Sequence, residues 1–416
     1  MSDMGRALLL LSLAFIATAL CYNGVLFALS RRRIRVGKPR HSDRFYVFLL
    51  ACLNEEKVLA ASLDRILSLP GDNYAALVID DASDDATAAI VQRVESERIW
   101  LHRRKLPDAR RGKGAALNDG LRVLRSSALV AHRDPRDVIV CVVDADGRLD
   151  ADVLAQVDPY FDDSGAGAVQ ICVRMYNRAT KLLTRLQDME FVTYTDIFQA
   201  GRRHLGSVGL GGNGQFMRLS ALDSLDGDPW SDCLTEDLDL GIRLLAAGWS
   251  NRYCDTTAVH QQAIVDVPRL VRQRSRWFQG HMQASRLVPL ILRRIPSGRA
   301  AADLLYHLFS PLLILTASLL PMSLVLTLVA AAIGSLGTGQ DLFDVAWLPW
   351  MYALSFGVGN IYGYVYWRRD REVGLLRSLL LGHAFVLYGY LWFFAGWWAV
   401  GRTIRGQNSW LKTAHT

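Results

Sequence analysis

The sequence predicts an α/β fold, with a sheet domain in the middle of the chain and apolar helices on both sides of it. Between residues 45 and 250, short apolar runs that end in acidic residues alternate with helix-like stretches. This alternation is typical of βαβ nucleotide-binding units. Hydrophobic residues make up 51% of the 416 residues and dominate both ends of the chain, whereas charged residues concentrate in the middle. A chain of this length has room for one large domain and further segments.

The formal net charge of +7 suits nucleic acid, a membrane surface or an anionic substrate as a partner. Its distribution favours the membrane, because Arg31, Arg32, Arg33 and Arg35 directly follow an apolar run. We therefore expect membrane lipids, and no nucleic acid, among the partners. The six cysteines are scattered without a Cys-x-x-Cys pair, and most lie in apolar surroundings, which indicates that most are buried thiols in a reducing compartment.

Residues 7–29 are almost uninterruptedly apolar, which is long enough for a helix to cross the hydrocarbon layer. A cleaved signal peptide is the alternative, but its positive charge should precede the apolar core. Here only Arg6 precedes it and four arginines follow. By the positive-inside rule, residues 1–30 are expected to form a transmembrane anchor with the rest of the chain in the cytoplasm.

Acidic residues follow the first two predicted strands, residues 45–53 and 76–79. Ligands of open α/β sheets collect at the carboxyl ends of strands, so these side chains are candidates for binding a nucleotide. Capping of the next helix is the alternative, and both roles are compatible. The residues at the two strand ends are Asn54, Glu55, Asp80 and Asp81.

A third apolar run, residues 138–143, ends in Asp144-Ala145-Asp146-Gly147. Two carboxylates one residue apart can share a divalent cation, and their oxygen atoms suit Mg²⁺ or Mn²⁺. Such an ion would neutralise a diphosphate and help it to leave. A simple turn is the alternative, since Asp and Gly both favour turns.

Two glycine-containing segments also have the composition of ligand-binding loops. Lys113 lies between two glycines where a helix begins, a position where backbone and charge can meet a phosphate. The spacing is not that of a P-loop, and a solvated basic loop is equally compatible. Residues 209–214 carry Gly211, Gly212, Asn213 and Gly214, which permit close ligand approach or simply a flexible hairpin.

Thr235, followed by Glu236 and Asp237, predicts the N-cap and first turn of a helix. This is a structural role that does not require a catalytic function. A carboxylate at a helix start that faces a cleft is also well placed as a general base.

Gln273, Arg276 and Trp277 lie in a run rich in arginine and aromatic residues. Arginine can bind a phosphate through two parallel hydrogen bonds, and tryptophan can stack against a sugar ring. The same run can form an amphipathic helix on the membrane surface, and we expect it to do both.

Residues 304–333, 346–366 and 375–400 are three further candidates for membrane spans. The basic clusters at residues 368–371 and 402–405 both favour the cytoplasm, yet they flank a single hydrophobic stretch. One of the three segments is therefore expected to be re-entrant or interfacial.

Taken together and in this order, the motifs resemble those of membrane-integrated family-2 glycosyltransferases of the cellulose, chitin, hyaluronan and poly-N-acetylglucosamine synthase type. The resemblance implies a GT-A (Rossmann-like) glycosyltransferase domain inserted between transmembrane α-helices. It also implies a UDP-sugar donor, UDP-glucose or UDP-N-acetylglucosamine, a divalent Mg²⁺ or Mn²⁺ ion, and inversion at the anomeric carbon. The expected divisions are an anchor at 1–30, a cytoplasmic GT-A domain at 40–262, amphipathic interface helices at 263–300, a transmembrane region at 301–402 and a tail at 403–416.

The resemblance also implies roles for single residues. Asp237 would be the general base, supported by Glu236, and Asp146 with Asp144 would bind the metal. Trp277 would stack under the acceptor sugar, near the loop of Gly212, Asn213 and Gly214. The donor would be bound by Asn54, Glu55, Asp80, Asp81, Lys113, Asp144, Gln273 and Arg276.

Three functions follow as hypotheses for this multi-pass protein of the plasma membrane. The first is extension of a β-linked polysaccharide, favoured by Trp277 because an acceptor-stacking ring suits a growing chain. The second is transfer of one sugar to a lipid such as diacylglycerol, favoured by the compact membrane portion. An inactive scaffold is the third, and the presence of Asp144, Asp146 and Asp237 argues against it. Because the chain has few candidate spans, an accessory subunit is one of the partners that we consider. Residues 410–413 resemble the tail of poly-N-acetylglucosamine synthases.

Overall fold

The computed structural model of the protein describes residues 3–338 and 348–407. The tail motif at 410–413 and the first residues of the span expected at 346–366 lie outside the described residues.

One eight-stranded sheet forms the centre of the molecule. Its strands are β1 (Phe45–Cys52), β2 (Tyr74–Asp80), β3 (Ile99–Arg103), β4 (Val138–Val142), β5 (Arg148–Leu149), β6 (Ala166–Met175), β7 (Gln215–Arg218) and β8 (Ser250–Gln261). Their order across the sheet is β3-β2-β1-β4-β7-β6-β8-β5. The strands β3, β2, β1 and β4 run parallel, whereas β7 is antiparallel to both β4 and β6. The α/β fold predicted from the sequence is therefore confirmed.

Helices cover the sheet and continue beyond it. They are α1 (Asp3–Ser30), α2 (Leu59–Leu67), α3 (Thr87–Gln92), α4 (Lys113–Arg125), α5 (Val153–Val157), α6 (Leu182–Thr193), α7 (Ala200–Arg202), α8 (Leu219–Asp223), α9 (Glu236–Ala246), α10 (Val267–Ala284), α11 (Val288–Arg294), α12 (Gly298–Thr338), α13 (Leu348–Arg369), α14 (Leu375–Gly389) and α15 (Leu391–Ile404).

Both faces of the sheet are buried, which explains why its central strands are continuous apolar runs. Along β1, Tyr46 and Phe48 point to the face that also holds the core residues of α2 and α5. Val47 and Leu49 point to the opposite face, against the apolar residues of α4 and α9. A strand buried on both faces contributes a closely packed platform, and the loops that follow it are held in fixed positions.

Two helical stretches among the described residues are long and apolar enough to cross a membrane, Gly298–Leu319 and Leu375–Ile404. The second stretch joins α14 and α15, and Ala17–Ser30 of α1 is a shorter apolar helix. Two such stretches suggest association with a membrane. The multi-pass arrangement stays a prediction.

A buried ion pair fastens α13 to the sheet domain. The carboxylate of Asp188 in α6 accepts hydrogen bonds from Arg174 Nε at 3.0 Å and Nη2 at 2.9 Å. It also accepts from the Met175 amide at 2.8 Å and from the Tyr366 hydroxyl of α13 at 2.9 Å. Asp188 is completely buried, and its loss would leave Arg174 with only the more distant carboxylate of Asp370, 3.5 Å from Nη2.

We predict that Asp188→Ala lowers the free energy of unfolding by about 3 kcal/mol, the low end for breaking a buried ion pair, because Asp370 still lies 3.5 Å from Arg174 Nη2. The control is Asp223→Ala, which removes a partly exposed pair with Arg125 and is expected to cost less than about 1 kcal/mol. Thermal unfolding of the purified protein in detergent measures both. Equal shifts for the two variants would contradict this account of α13.

Candidate active site

A cavity of about 660 Å³ lies where β1 and β4 end, and most of the site residues predicted from the sequence line it. They are Glu55, Asp81, Lys113, Asp144, Asp146, Gly212, Asn213, Glu236, Asp237, Gln273, Arg276 and Trp277. These side chains come from segments far apart in the sequence, and the sheet brings the strand ends and helix starts together.

Lys113, the first residue of α4, connects several of these segments. Its ammonium donates a hydrogen bond to the carboxylate of Asp144 and another, at 2.7 Å, to the carbonyl oxygen of Gly212. Burial opposes its charge, but Asp144 and Glu236 outweigh burial and raise the pKa of Lys113. A charged lysine is therefore held at the centre of the polar part of the cavity.

The loop after β4 is a tight turn whose two acids both line the cavity. The Gly147 amide donates to the Asp144 carbonyl at 2.8 Å, and a Cβ on Gly147 would lie 2.6 Å from Val143 Cγ1. Asp146 is nearly buried, and its Oδ2 accepts a hydrogen bond from the Gln262 amide at 2.7 Å. The turn is therefore present and both acids line the cavity, while their binding of a metal ion stays a prediction.

Glu236 and Asp237 form the first turn of α9. Burial, together with the neighbouring charge of Asp237, raises the pKa of Glu236 to about 7. Burial also raises the pKa of Asp237, although its Oδ1 accepts a hydrogen bond from the Leu238 amide at 2.8 Å. Thr235 occupies the N-cap position as predicted, but its side chain makes no capping bond. A carboxylate that titrates near neutral pH is suited to exchanging a proton with a substrate.

The segment of Gln273, Arg276 and Trp277 lies on α10, and all three side chains line the cavity. Arg276 is close enough to Glu236 and Asp144 for their charges to act on it. The guanidinium carbon of Arg274 lies 4.1 Å from the centre of the Trp277 ring. One face of this tryptophan is therefore already covered by a cation.

Arg274 and its partner Glu190 are site residues that the sequence does not predict. Arg274 Nη2 lies 2.6 Å from Glu190 Oε2, and Glu190 also accepts hydrogen bonds from Tyr388 and from Trp392 Nε1 at 3.1 Å. This cluster joins α6 and α10 to the C-terminal helices. No local pattern indicates it, because Glu190 and Trp392 are 202 residues apart.

Three predicted residues do not line the cavity. Asp80 is completely buried, and its carboxylate accepts hydrogen bonds from the Ser83 amide at 3.0 Å and from Arg103 at 2.9 Å. Asn54 Oδ1 accepts a hydrogen bond from the Asp84 amide at 2.8 Å. Both side chains thus fix the loops after β1 and β2, and their contact with a nucleotide stays a prediction.

Gly214, the third, has a backbone φ of +70° and packs against Ile171 and Val259. Its neighbour Asn213 accepts a hydrogen bond from the Asp144 amide at 3.1 Å and donates to Gln261 at 2.9 Å. Side-chain hydrogen bonds of Asn213 therefore connect the glycine loop to the loop after β4 and to β8.

The cavity extends beyond the polar residues to the apolar helices, which the sequence analysis did not expect. This extension is lined by Phe278, His281, His307, Ser310, Pro311, Ile314, Gly389, Trp392 and Phe393. These residues lie in segments that the sequence marks only as amphipathic or membrane-spanning, so their composition hid their proximity to the acids.

Comparisons with known proteins place the chain in one family of enzymes. The family model described as "Glycosyltransferase like family 2" matches residues 43–280. A beta-monoglucosyldiacylglycerol synthase from Nostoc sp. is 32% identical over 304 residues, which cover 70% of this chain and 62% of that protein. A poly-beta-1,6-N-acetyl-D-glucosamine synthase from Staphylococcus aureus is 25% identical and covers 56% of this chain and 53% of that protein. The chain thus spans about three fifths of the length of the curated relatives that it matches first.

A solved structure has a similar fold. It is a mannosyltransferase from Pyrobaculum calidifontis in complex with GDP-Man and Mn²⁺, with a TM-score of 0.56 and 20% identity. The alignment covers 91% of this chain and 97% of that one. The chain therefore has a mixed α/β sheet with a GT-A-like glycosyltransferase fold.

Two glycines of the same loop should respond differently to replacement. Gly214→Ala places a Cβ 2.7 Å from Ile171 and 2.8 Å from Val259 at a positive φ, and we expect a loss of about 2 kcal/mol of stability. Gly212→Ala meets only Lys113 Nζ at 3.2 Å and Asp237 Oδ2 at 3.4 Å, and should cost less than about 1 kcal/mol. Thermal unfolding distinguishes them, and a larger loss for Gly212→Ala would contradict this description of the loop.

Proposed function

Because this chain belongs to glycosyltransferase family 2, we propose that it transfers a single sugar from a UDP-sugar to a hydroxyl group of a membrane lipid. The observation that supports this proposal most strongly is the shape of the cavity. At one end the cavity is lined by Asp144, Glu236 and Asp237, and at the other by Ile314 and Phe393. Ile314 and Phe393 belong to the two helical stretches that are long and apolar enough to cross a membrane. A lipid chain and a charged diphosphate need these two environments within reach of each other.

The relatives support a lipid acceptor more than a polysaccharide acceptor. Three beta-monoglucosyldiacylglycerol synthases are 32–33% identical over 56–70% of this chain. The poly-N-acetylglucosamine synthase is a more distant relative. The alternative weighed in the sequence analysis thus has better support than its first hypothesis, extension of a β-linked polysaccharide.

At the donor end, Lys113 and Arg276 are the cations that would contact the diphosphate, with Gln273 beside them. Glu55 and Asp81 also line this end and would contact the nucleoside. The carboxylate of Asp81 is fixed by an ion pair with Arg104, which is nearly buried and also donates to the Asp108 carbonyl at 2.7 Å. Rigid polar groups of this kind suit recognition of a planar base.

The two acids after β4 fit a divalent cation. Asp144 and Asp146 both line the cavity, and no group of three or more His, Cys, Asp or Glu side chains that could hold a metal is found in the described part of the chain. One or two carboxylates completed by substrate phosphates and water are the usual surroundings of Mg²⁺. Asp144 and Asp146 would hold Mg²⁺ or Mn²⁺, and the ion would neutralise charge on the leaving diphosphate.

The chemistry requires one proton transfer and one displacement. Asp237, supported by Glu236, accepts the proton of the lipid hydroxyl, and the hydroxyl oxygen attacks the anomeric carbon from the face opposite the diphosphate. The bond from this carbon to the diphosphate oxygen breaks, and the electron pair leaves with UDP. Lys113 and Arg276 stabilise the charge that develops there. One displacement inverts the anomeric configuration, and no covalent intermediate with the protein is formed.

Extension of a polysaccharide is the second candidate function. Trp277 lines the cavity beside Gln273 and Arg276, and an indole ring can support an acceptor sugar. Extraction with organic solvent distinguishes the two candidate products. A glycolipid is extracted by the solvent, whereas a polymer stays in the aqueous or insoluble fraction.

The experiment uses the purified full-length protein in lipid nanodiscs with Mg²⁺ or Mn²⁺, a diglyceride and a panel of radiolabelled UDP-sugars. We expect label from one donor in a small, organic-soluble product. Label only in high-molecular-weight, glycosidase-sensitive material would contradict a lipid acceptor and favour the second candidate.

We predict that Asp237→Asn lowers kcat by at least about 100-fold, because the amide cannot accept the proton of the acceptor hydroxyl. Asp223→Asn, on an exposed part of α8, is the matched control and should leave kcat unchanged. Retained activity in Asp237→Asn would rule out Asp237 as the base.

The pH dependence follows from the raised pKa values. A general base works only when it is deprotonated. The pKa of Glu236 is raised to about 7, and the pKa of its neighbour Asp237 is raised as well. We therefore expect kcat/KM to fall as the pH drops through about 7. Lys113 lowers the pKa of Glu236, so Lys113→Met should move the midpoint to higher pH. A midpoint near pH 4, the value for ordinary carboxylates, would show that this pair does not control the reaction.

A further inference from the structure

Four residues of α12 that line the cavity form one stripe along the helix. They are His307, Ser310, Pro311 and Ile314, and their spacing of three, four and seven residues places them on the same helix face. Polarity changes in order along the stripe, from an imidazole and a hydroxyl to a proline ring and an aliphatic side chain. At about 1.5 Å of rise per residue, the stripe is roughly 10 Å long.

The wall opposite this stripe is apolar. Trp392 and Phe393 of α15, Gly389 of α14 and Phe278 of α10 line the same end of the cavity. The stripe and α14–α15 belong to the two stretches of the described chain that are apolar enough to cross a membrane. This end of the cavity is therefore polar at one side and apolar at the other, as an amphiphilic molecule is.

The polar side of this end is a pair of histidines. Nε2 of His281 and Nε2 of His307 are 3.3 Å apart, and Nδ1 of His281 is 3.1 Å from the carbonyl oxygen of Trp277. Burial lowers the pKa of His281 to about 4, so this ring is neutral and carries one hydrogen. The carbonyl oxygen can only accept, which assigns that hydrogen to Nδ1. His307 therefore donates from Nε2 to His281, and in its neutral form its Nδ1 accepts a hydrogen bond.

The same end carries no lysine or arginine among its described lining residues. Glu190, which also lines the cavity, accepts a hydrogen bond from Trp392 Nε1 at 3.1 Å and is ion-paired with Arg274. Arg202 acts electrostatically on His281, but it does not line the cavity and is ion-paired with Asp303 at 3.1 Å. A phosphate headgroup would have no cation to bind here, since phosphate sites in proteins normally supply arginine, lysine or a helix N-terminus.

We propose that this end of the cavity is the acceptor-lipid site, and that it selects an uncharged lipid with a free hydroxyl group. The His281–His307 pair and Ser310 bind the polar headgroup, while Pro311, Ile314 and Phe393 contact the first part of the hydrocarbon chain. Headgroup binding orients the reactive hydroxyl towards Asp237. This inference rests on the proposed function and adds to it the class of acceptor and the residues that recognise it.

The test compares two acceptors in nanodiscs made of phosphatidylcholine, with the UDP-sugar that gave product. Diglyceride and phosphatidylglycerol carry the same chains and free hydroxyls, but the second is negatively charged. We expect kcat/KM to be at least about tenfold higher for diglyceride. His307→Leu should raise the KM for diglyceride about tenfold, the effect of losing roughly one hydrogen bond. The KM for the UDP-sugar and the hydrolysis of UDP-sugar without lipid should stay within about twofold.

A second variant pair tests the apolar side without changing the histidines. Ile314→Trp should fill the stripe and lower kcat/KM for a long-chain diglyceride at least about fivefold more than for dioctanoylglycerol. Leu312→Trp is the control, because Leu312 lies two residues away on the same helix and is 59% exposed. It should leave both acceptors unaffected.

The outcomes separate this inference from the function on which it rests. Glycosylated diglyceride with an unchanged acceptor KM in His307→Leu, and no chain-length effect in Ile314→Trp, would overturn the site but keep the function. Preference for phosphatidylglycerol would overturn the selection of an uncharged headgroup. A polymeric product with no glycolipid at all would overturn the proposed function, and the acceptor site with it.

Discussion

The positive charge of Lys113 allows several carboxylates to share one buried region of this protein. Asp144, Glu236 and Asp237 all act electrostatically on Lys113, and they come from the loop after β4 and the start of α9. Burial raises the pKa values of Glu236 and Asp237, and the charge of Lys113 lowers both, so this cation favours the ionised form that a general base needs. Lys113 also binds the carbonyl oxygen of Gly212, so the same group holds the glycine loop at the site. One ammonium group thus connects the start of α4 to two loops by hydrogen bonds and acts electrostatically on the start of α9.

A second constraint connects the sheet domain with the apolar helices. Arg274 is almost completely buried between Glu190 and the ring of Trp277, and Glu190 also binds Tyr388 and Trp392 of the C-terminal helices. A buried arginine needs such a partner, because an unpaired charge there would be strongly destabilising. As a result α14 and α15 are held against α10 and become walls of the cavity.

The sequence was sufficient for the sheet domain because each of its signals is local. Apolar runs that end in Asp144 or Glu55 mark strand ends, and parallel strands bring those ends together whatever the loops contain. The structure gives Asp80 and Asn54 contacts within the loops, which no spacing rule distinguishes from contacts with a ligand. Arg274 and His307 were missed for a physical reason. Their partners are distant in the sequence, and in a helix rich in arginine or in leucine a single polar residue has no periodic signature.

The membrane portion was predicted less well for a related reason. Length and apolarity identify Gly298–Leu319 and Leu375–Ile404, but they do not reveal which face of a helix lines a cavity. In the structure, one face of α12 and part of α15 line the same cavity as Asp237. Because the cavity continues along these helices, its shape favours a lipid acceptor over a growing glycan.

The most direct test of this account is a cryo-electron microscopy structure of the protein in nanodiscs with UDP, Mn²⁺ and a diglyceride. We expect the diphosphate beside Lys113 and Asp144, and a lipid along the stripe of α12 with its hydroxyl oxygen about 3 Å from the Asp237 carboxylate. Density for a sugar chain in place of the lipid, or a lipid hydroxyl far from Asp237, would contradict it.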